Sequence, residues 1–314
     1  MLDVRKLRLL RELAHRGTIA AVAEALSYTP SAVSQQLAAL ERETGVALLE
    51  RTGRRVTLTL AARALAARTE PVLAALAEAE AELAAYRTGL TGTLRVGAFP
   101  TAVRTVLSPA LVTLSRTHPG LELRVSELDP AAVPDALRAD AIDVALVHEY
   151  DFTAGPDEPG LETEPLMEET VHLAALAAGP LRAHRAAPWI AGTPGTLCHT
   201  MTVRACEAEG FTPRIRHHAD DFGAVLALVA AGQGVALVPD LGLLDPPPGL
   251  VLTPLATRRR TRIAYRRGHA AHPLIAAART ALHTTRTPPI PPAVGDRGKP
   301  GCPPDAPPPL ERHR

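Results

Sequence analysis

The 314-residue sequence predicts a mixed α/β protein in three parts: a small helical unit closed by a hairpin, one long helix, and a two-lobed α/β body. Three observations carry this. Residues 18–45 hold two helix signals separated by a tight turn. Residues 61–88 repeat apolar positions every seven residues. From residue 92 onward strand and helix signals alternate, and the alternation runs twice.

In chain order, residues 4–15 read as a helix whose Val4, Leu7, Leu10 and Leu13 share one face. Thr18 can cap the next helix, with Ile19, Val22, Ala23 and Leu26 at helical spacing. Thr29 can cap a third, with Pro30 at the first position, where a missing N–H costs nothing. Val33, Leu37 and Leu40 form its buried stripe, and Gly45 suits its end. Ser31, Ala32, Ser34, Gln35 and Gln36 lie off that stripe. This is the helix-turn-helix pattern. Small side chains would let the helix enter a major groove, glutamine can pair bidentately with adenine, and serine can serve phosphate or base. Periodicity alone fits an ordinary helical hairpin with a solvated polar face equally well.

The segment VALLERTGRRVTLT then reads as a two-stranded wing turning at Thr52-Gly53. Arg51, Arg54 and Arg55 flank the turn and would meet phosphate or the minor groove, the plainer reading being a solvated basic turn. With Thr29 to Gln36 they complete the candidate DNA contacts. From Ala61 to about Thr88, Leu65, Val72, Ala79 and Tyr86 form one row of the long helix, and Thr69, Leu76 and Leu83 a second. Pro71 should kink it.

Strands follow at 94–98, 121–126 and 142–147, with helices at 108–117 and 131–139 between them. The second round has strands at 171–177, 189–190, 214–218 and 235–239, with helices near 200–209 and 221–231. A helix from His272 to His283 closes the body. Ligands of parallel sheets sit beyond the carboxyl ends of strands. Three loops qualify: Phe99-Pro100-Thr101-Ala102, His148-Glu149-Tyr150, and Gly195-Thr196-Leu197-Cys198-His199. Thr101 and Thr196 beside helix N-termini would favour an anion, and each would serve equally as a plain N-cap.

Formal charge is only +1, yet residues 1–60 hold nine Lys/Arg against six Asp/Glu, a local basic bias. Arginine far outnumbers lysine and alanine is abundant, which reflects base composition more than function. Three cysteines without framework spacing argue against a disulfide scaffold. Cys198, His199 and Cys206, with His217 and His218 nearby, suggest zinc or a redox switch, but they match no metal spacing, so no metal or other cofactor is expected and structural cysteine is the preferred reading. No apolar run reaches the roughly 18 residues of a membrane span. The N-terminus lacks a signal-peptide core, so a soluble, cytoplasmic protein without membrane contact is expected. The arginines at 258–260, 262, 266 and 267 read as a solvated strand edge in preference to a second nucleic-acid site. Residues 287–314 contain ten prolines in 28 positions and read as a disordered tail containing Cys302.

The segment LRLLRELAHRGTIAAVAEALSYTPSAVSQQLAALERETGVALLERTGRRVTLT resembles the DNA-binding domain of LysR-type transcriptional regulators. The likeness continues to about residue 285, and AEALSYTPSAVSQQLAALE, the following G-x-x-L-L-x-R and VTLT carry it. Leu49 stands where the family usually has Phe, and Leu60 and Ala62 where it usually has Pro and Gly. The resemblance implies a winged helix-turn-helix over 1–60 and a dimerising linker helix over 61–89, with Leu65, Val72, Leu76 and Leu83 in the dimer contact. It implies a periplasmic-binding-protein-like effector domain over 90–286, lobe 1 at about 90–163 and 267–286 and lobe 2 at about 164–266. Phe99, Pro100, Thr101, Ala102, His148, Gly195, Thr196 and Cys198 would line its effector cleft. The implied protein is a homodimer or homotetramer that binds operator DNA, answers to a polar or anionic effector, and can meet RNA polymerase. A solute-binding protein is the main rival, supported by residues 92–285 alone. A nucleoid-binding role is another. An enzyme is not supported, since no nucleophile elbow, phosphate loop or carboxylate pair is present.

Overall fold

A computed structural model describes residues 2–52, 55–85, 89–151, 153 and 158–285. The expectations for Gly53, Arg54, Tyr86 and the proline-rich tail with Cys302 therefore fall outside the described residues. Five caps and turns set the N-terminal unit. Asp3 caps α1 (Val4–Arg16), which ends at Gly17 in the left-handed region. Thr18 Oγ1 accepts from the Ala21 N–H at 3.2 Å and starts α2 (Ile19–Ala25). Thr29 Oγ1 accepts from Ala32 N–H at 3.2 Å and starts α3 (Pro30–Thr44), which ends at left-handed Gly45. Leu7, Leu10, Leu13, Val22, Val33, Leu37 and Leu40 close one apolar core. Strands β1 (Leu49–Thr52) and β2 (Arg55–Leu58) pair antiparallel as the wing.

Helix α4 (Leu60–Ala85) runs through Pro71 as one element. Its in-chain face is Ala62, Ala66, Thr69, Ala74, Ala77 and Ala81, all buried. Val72, Leu76 and Leu83 stay exposed, at 44%, 43% and 71%, with Leu76 also lining a cavity against lobe 1. Thr69 thus leaves the second heptad row: it turns inward, its hydroxyl donating to Leu65 O at 2.8 Å.

The body begins with β3 (Gly92–Ala98). A continuous helical run follows, α5 (Pro100–Ala102), a π turn (Val103–Leu107) and α6 (Ser108–Thr117), so the helix expected at 108 starts eight residues earlier. Next come β4 (Leu121–Glu127), α7 (Val133–Arg138) and β5 (Val144–Tyr150). Strand β6 (Leu161–Ala175) leads into the second lobe, built from β7 (Pro188–Ala191), α8 (Leu197–Ala208), β8 (Arg214–His218), α9 (Phe222–Ala230) and β9 (Ala236–Pro239). Strand β10 (Val251–Arg266) returns, and α10 (Pro273–Thr284) packs on lobe 1.

The main sheet has the order β4-β3-β5-β10-β6-β9. Strands β6 and β10 pair antiparallel along nearly their whole length and pass through both lobes. The long crossing strands correct one expectation: β10 is an interior strand, bonded on both sides, not a solvated edge. A second correction concerns His148, Glu149 and Tyr150, which lie inside β5 rather than in a loop after it.

Candidate DNA-reading helix and interlobe cleft

Helix α3 buries Val33, Leu37 and Leu40 and so turns its other face outward. Thr29, Pro30, Ser31, Gln35 and Gln36 are exposed, with Ala32 and Ser34 half-buried between the two faces. Thr29 spends its hydroxyl on the cap, which is worth about 1 kcal/mol. Arg51 and Arg55 stand on the wing strands β1 and β2. The exposed and half-exposed side chains from Thr29 and α3 form a small, polar face that suits a major groove.

The second site sits where the crossing strands pass between the lobes. Tyr150, Arg259 and Glu169 are register partners in one row across β5, β10 and β6. Residues directly opposite in a sheet point to the same face. Arg259 is 1% exposed, and its Nη2 donates to both carboxylate oxygens of Glu169, at 3.0 and 2.9 Å. The same nitrogen reaches Thr101 Oγ1 at 3.4 Å, and the guanidinium lies over the Phe99 ring at 5.0 Å. Burial pushes the Glu169 carboxyl up, against the pull of Arg259 and of the Leu241 N–H that donates to it at 3.0 Å. Burial, the largest single influence, would lower Arg259, but Glu169 together with Tyr150 and Cys198 raises it on balance, so the guanidinium stays charged.

His148 sits one strand position pair away, opposite Thr261 on β10. Its ring packs edge-on to Phe99 at 4.6 Å and to Tyr150 at 5.3 Å. Burial, then the nearby Arg259 charge, hold His148 well below its usual range, so the ring is neutral. Neither of its ring nitrogens has a hydrogen-bond partner among the described residues, nor do Arg259 Nε and Thr261 Oγ1. From the other lobe, Cys198 Sγ comes to 3.3 Å from the Tyr150 hydroxyl. Burial raises that thiol, and burial raises the Tyr150 phenol well above its normal value.

The structure therefore brings together Phe99, Thr101, His148 and Cys198, with Ala102 buried and Pro100 half-buried at the start of the helical run beside them. Gly195 is exposed with φ of 97°, and the Thr196 hydroxyl donates to Thr193 O at 2.8 Å while accepting from His199 N–H at 3.2 Å. The Thr196 hydroxyl is thus occupied in capping α8. Sequence reasoning missed Arg259, Glu169 and Thr261, and placed Tyr150 in a candidate loop rather than in the strand. The signal for two of them was present: Thr257, Arg259, Thr261, Ile263 and Tyr265 alternate at period two, so the buried face of Ile263 and Tyr265 is also that of Arg259. Among the described residues no three His, Cys, Asp or Glu side chains gather as a metal site.

Two family models match. One, described as the LysR substrate binding domain, covers residues 87–286, and the other, described as the bacterial regulatory helix-turn-helix protein of the lysR family, covers residues 4–63. The chain is 28% identical over 253 residues to the transcriptional dual regulator GltC of Bacillus subtilis, across 76% of this chain and 81% of that protein. It is 32% identical over 255 residues to a probable hydrogen peroxide-inducible genes activator of Streptomyces viridosporus, across 75% of this chain and 80% of that one. A solved structure of a cysteine mutant of OxyR from Corynebacterium glutamicum matches with a TM-score of 0.53 and 27% identity, over 90% of both chains. Full-length OxyR from Pseudomonas aeruginosa shares the fold, with a TM-score of 0.57 at 22% identity, over 91% of this chain and 99% of that one.

Proposed function

The chain belongs to the LysR family of bacterial regulators, and from that premise we propose which residues do its work. It is a DNA-binding transcriptional regulator with an effector-binding domain. No helix among the described residues is long and apolar enough to cross a membrane. The helix-turn-helix match leaves no place for the solute-binding reading, and the relatives are regulators, so we read the chain as acting by binding rather than catalysis, in the cytoplasm.

In this reading residues 1–60 read DNA and 61–89 join two copies. Within 90–286, lobe 1 (about 90–163 and 267–286) and lobe 2 (about 164–266) close on the effector. Ser31, Ala32, Ser34, Gln35 and Gln36 enter the major groove, and Arg51, Arg54 and Arg55 hold the backbone. The effector lies against Thr101, His148 and Arg259, with Phe99 and Cys198 as walls. One observation carries the cleft assignment: four polar atoms, on His148, Arg259 and Thr261, are buried there without partners. Buried polar groups are nearly always satisfied, so such a cluster is the footprint of a polar ligand or its water. Arg259 makes that ligand anionic, since a carboxylate can share its guanidinium with Glu169.

The test is a thermal-shift screen of carboxylate metabolites on the full chain, repeated on Thr101→Val. The active compound should stabilise the wild type and bind Thr101→Val about ten-fold or more weaker, as for a lost bond to a charged group. Equal binding by both forms would remove Thr101 from the site.

A second reading rests on Cys198 together with relatives described as hydrogen peroxide-inducible activators. The thiolate is the species that oxidises, and here burial holds the Cys198 thiol protonated. Cys206 is buried on the same helix, its thiol pushed up to about 12, and eight residues of rise, about 12 Å, separate the two along α8. A disulfide between them requires α8 to unwind, so small-ligand control is preferred. Loss of one free thiol per chain at micromolar peroxide, abolished in Cys198→Ser, would reverse that preference.

A further inference from the structure

Away from the cleft, a cavity of about 600 Å³ opens where α1 and α4 meet lobe 1. Arg5, Arg8 and Arg11 of α1 line one side, and Arg95, Arg266 and Arg267 of lobe 1 line the other. Arg138 adds a seventh cation, itself held by Asp135 and Glu158, and the lining carboxylates are Glu70, Glu80, Asp140 and Asp143. An adjoining cavity of about 390 Å³ continues past Arg5, Arg8 and Asp140 to Ser27 and Tyr28, the turn between α2 and α3.

The carboxylates are unevenly shared among the arginines. Arg95 is held by Asp143, and Arg11 by Glu12 and Glu70. Arg8 reaches Asp140 Oδ2 at 2.6 Å, while Arg266 takes Oδ1 of the same carboxylate and Arg95 takes the Asp140 carbonyl. One acidic residue thus faces three guanidinium groups. Arg266 registers the crowding: burial first, then Arg8, Arg95 and Arg11, lower it to about 10, and its buried Nε has no partner among the described residues. Arg5 and Arg267 are exposed at the rim, and neither side chain has an ion-pair partner among the described residues. Clefts lined by one sign of charge concentrate ions of the other, and guanidinium groups pair best with phosphate or carboxylate oxygens.

We propose that this junction is a second ligand site, taking a small polyanion that carries phosphate or several carboxylates and clamping the helix-turn-helix unit against lobe 1. The anion joins Arg8 and Arg5 on one domain to Arg266 and Arg267 on the other. It also relieves Asp140 of its double load. Because the cavity extends to the α2–α3 turn, its occupancy sets how α3 is presented to DNA. The site is separate from the interlobe cleft and stands whether or not the effector assignment does.

The experiment is calorimetric titration of the full chain with inorganic pyrophosphate and with citrate, at matched ionic strength against potassium chloride. Wild type should bind at least one of the two saturably; which one identifies phosphate or carboxylate as the recognised group. The double variant Arg5→Gln/Arg267→Gln, which touches no described ion pair and so retains the fold, should bind at least ten-fold weaker. Arg185→Gln, which removes an exposed arginine of lobe 2 that lines neither cavity, should bind as wild type does. No saturable binding beyond the chloride control would overturn the proposal. Undiminished binding by the double variant would overturn it too, placing the anion elsewhere, for example on the DNA-reading face.

Discussion

The residues that define each surface act through one or two atoms, which makes their substitution diagnostic. Gln35 is exposed on α3 beside Ser34 and Gln36, with an amide free to pair with a base edge. Gln35→Ala should cost about 1–3 kcal/mol on the operator and little on random DNA, measured by competitive titration. His148 gives a pH signature. Its folded pKa lies well below the free value of 6.5, so the unfolded chain takes up this proton first. The neutral-ring contribution is therefore full above about pH 6.5 and is lost as pH falls from there towards the folded value. His148→Phe keeps the edge-on packing against Phe99 and Tyr150 and removes the proton. Its melting temperature should fall less than that of wild type between pH 7 and 5, and equal slopes would mean His148 is not the group that titrates. The placement of His148 shows where the sequence was hard to read. VALVHEY continues as strand through His148 because its alternation is masked by burial on both faces, so the expected loop began too early. Arg259, by contrast, was readable from its alternation with Ile263, but a run of arginines in a sequence suggests solvent. Only its pairing with Glu169, 90 residues earlier in the chain, reveals why it is inside.

At the scale of elements, the Thr18 and Thr29 caps, the Gly45 end and most of the apolar stripes were legible because helix ends and helix faces are local chemistry, although Val4, expected on the stripe of α1, is exposed at 38%. Thr18, Thr29, Gly17 and Gly45 fix their ends with contacts no more than four residues away. Helix α4 shows the limit. Its two seven-residue rows are similar in apolar character, and alanine fills much of both faces, so spacing could not tell the in-chain face from the face left for a partner. The structure divides them: Thr69 turns inward, and Val72, Leu76 and Leu83 form an exposed strip on a folded helix. Exposed leucines at that spacing are the knobs of a helix pair. Leu76→Glu should leave the body folded while shifting sedimentation from dimer or larger towards monomer, because a charge in that seam would be buried without a partner. An unchanged sedimentation profile would leave the strip without a role in assembly.

For the molecule as a whole, the decisive contact is the one that fixes α4 on lobe 1. Two glycines make it close. Gly268, just past β10, has φ of +82°, and a Cβ there would lie 2.3 Å from the Ala74 carbonyl oxygen of α4. Gly160, just before β6, has φ of +85°, and a Cβ there would lie 2.6 Å from Glu70 Oε2. The two obstacles differ in kind. Glu70 is a side chain that can swing aside, whereas the Ala74 carbonyl belongs to a helix backbone and cannot yield without moving α4. Both crossing strands thus begin or end against the linker helix, so a lobe movement at the cleft has a short mechanical route to the DNA-reading unit. Gly268→Ala should cost about 1–2 kcal/mol for the left-handed backbone alone, and the clash should then be relieved by lifting α4 rather than by unfolding lobe 1. The expected result is an effector domain with its secondary structure intact by circular dichroism, faster amide exchange over residues 70–81, and a changed operator footprint. Gly160→Ala should show the same backbone cost with little change in the footprint. If Gly268→Ala leaves exchange in α4 and the footprint as in wild type, the DNA-reading unit is positioned by something other than this contact.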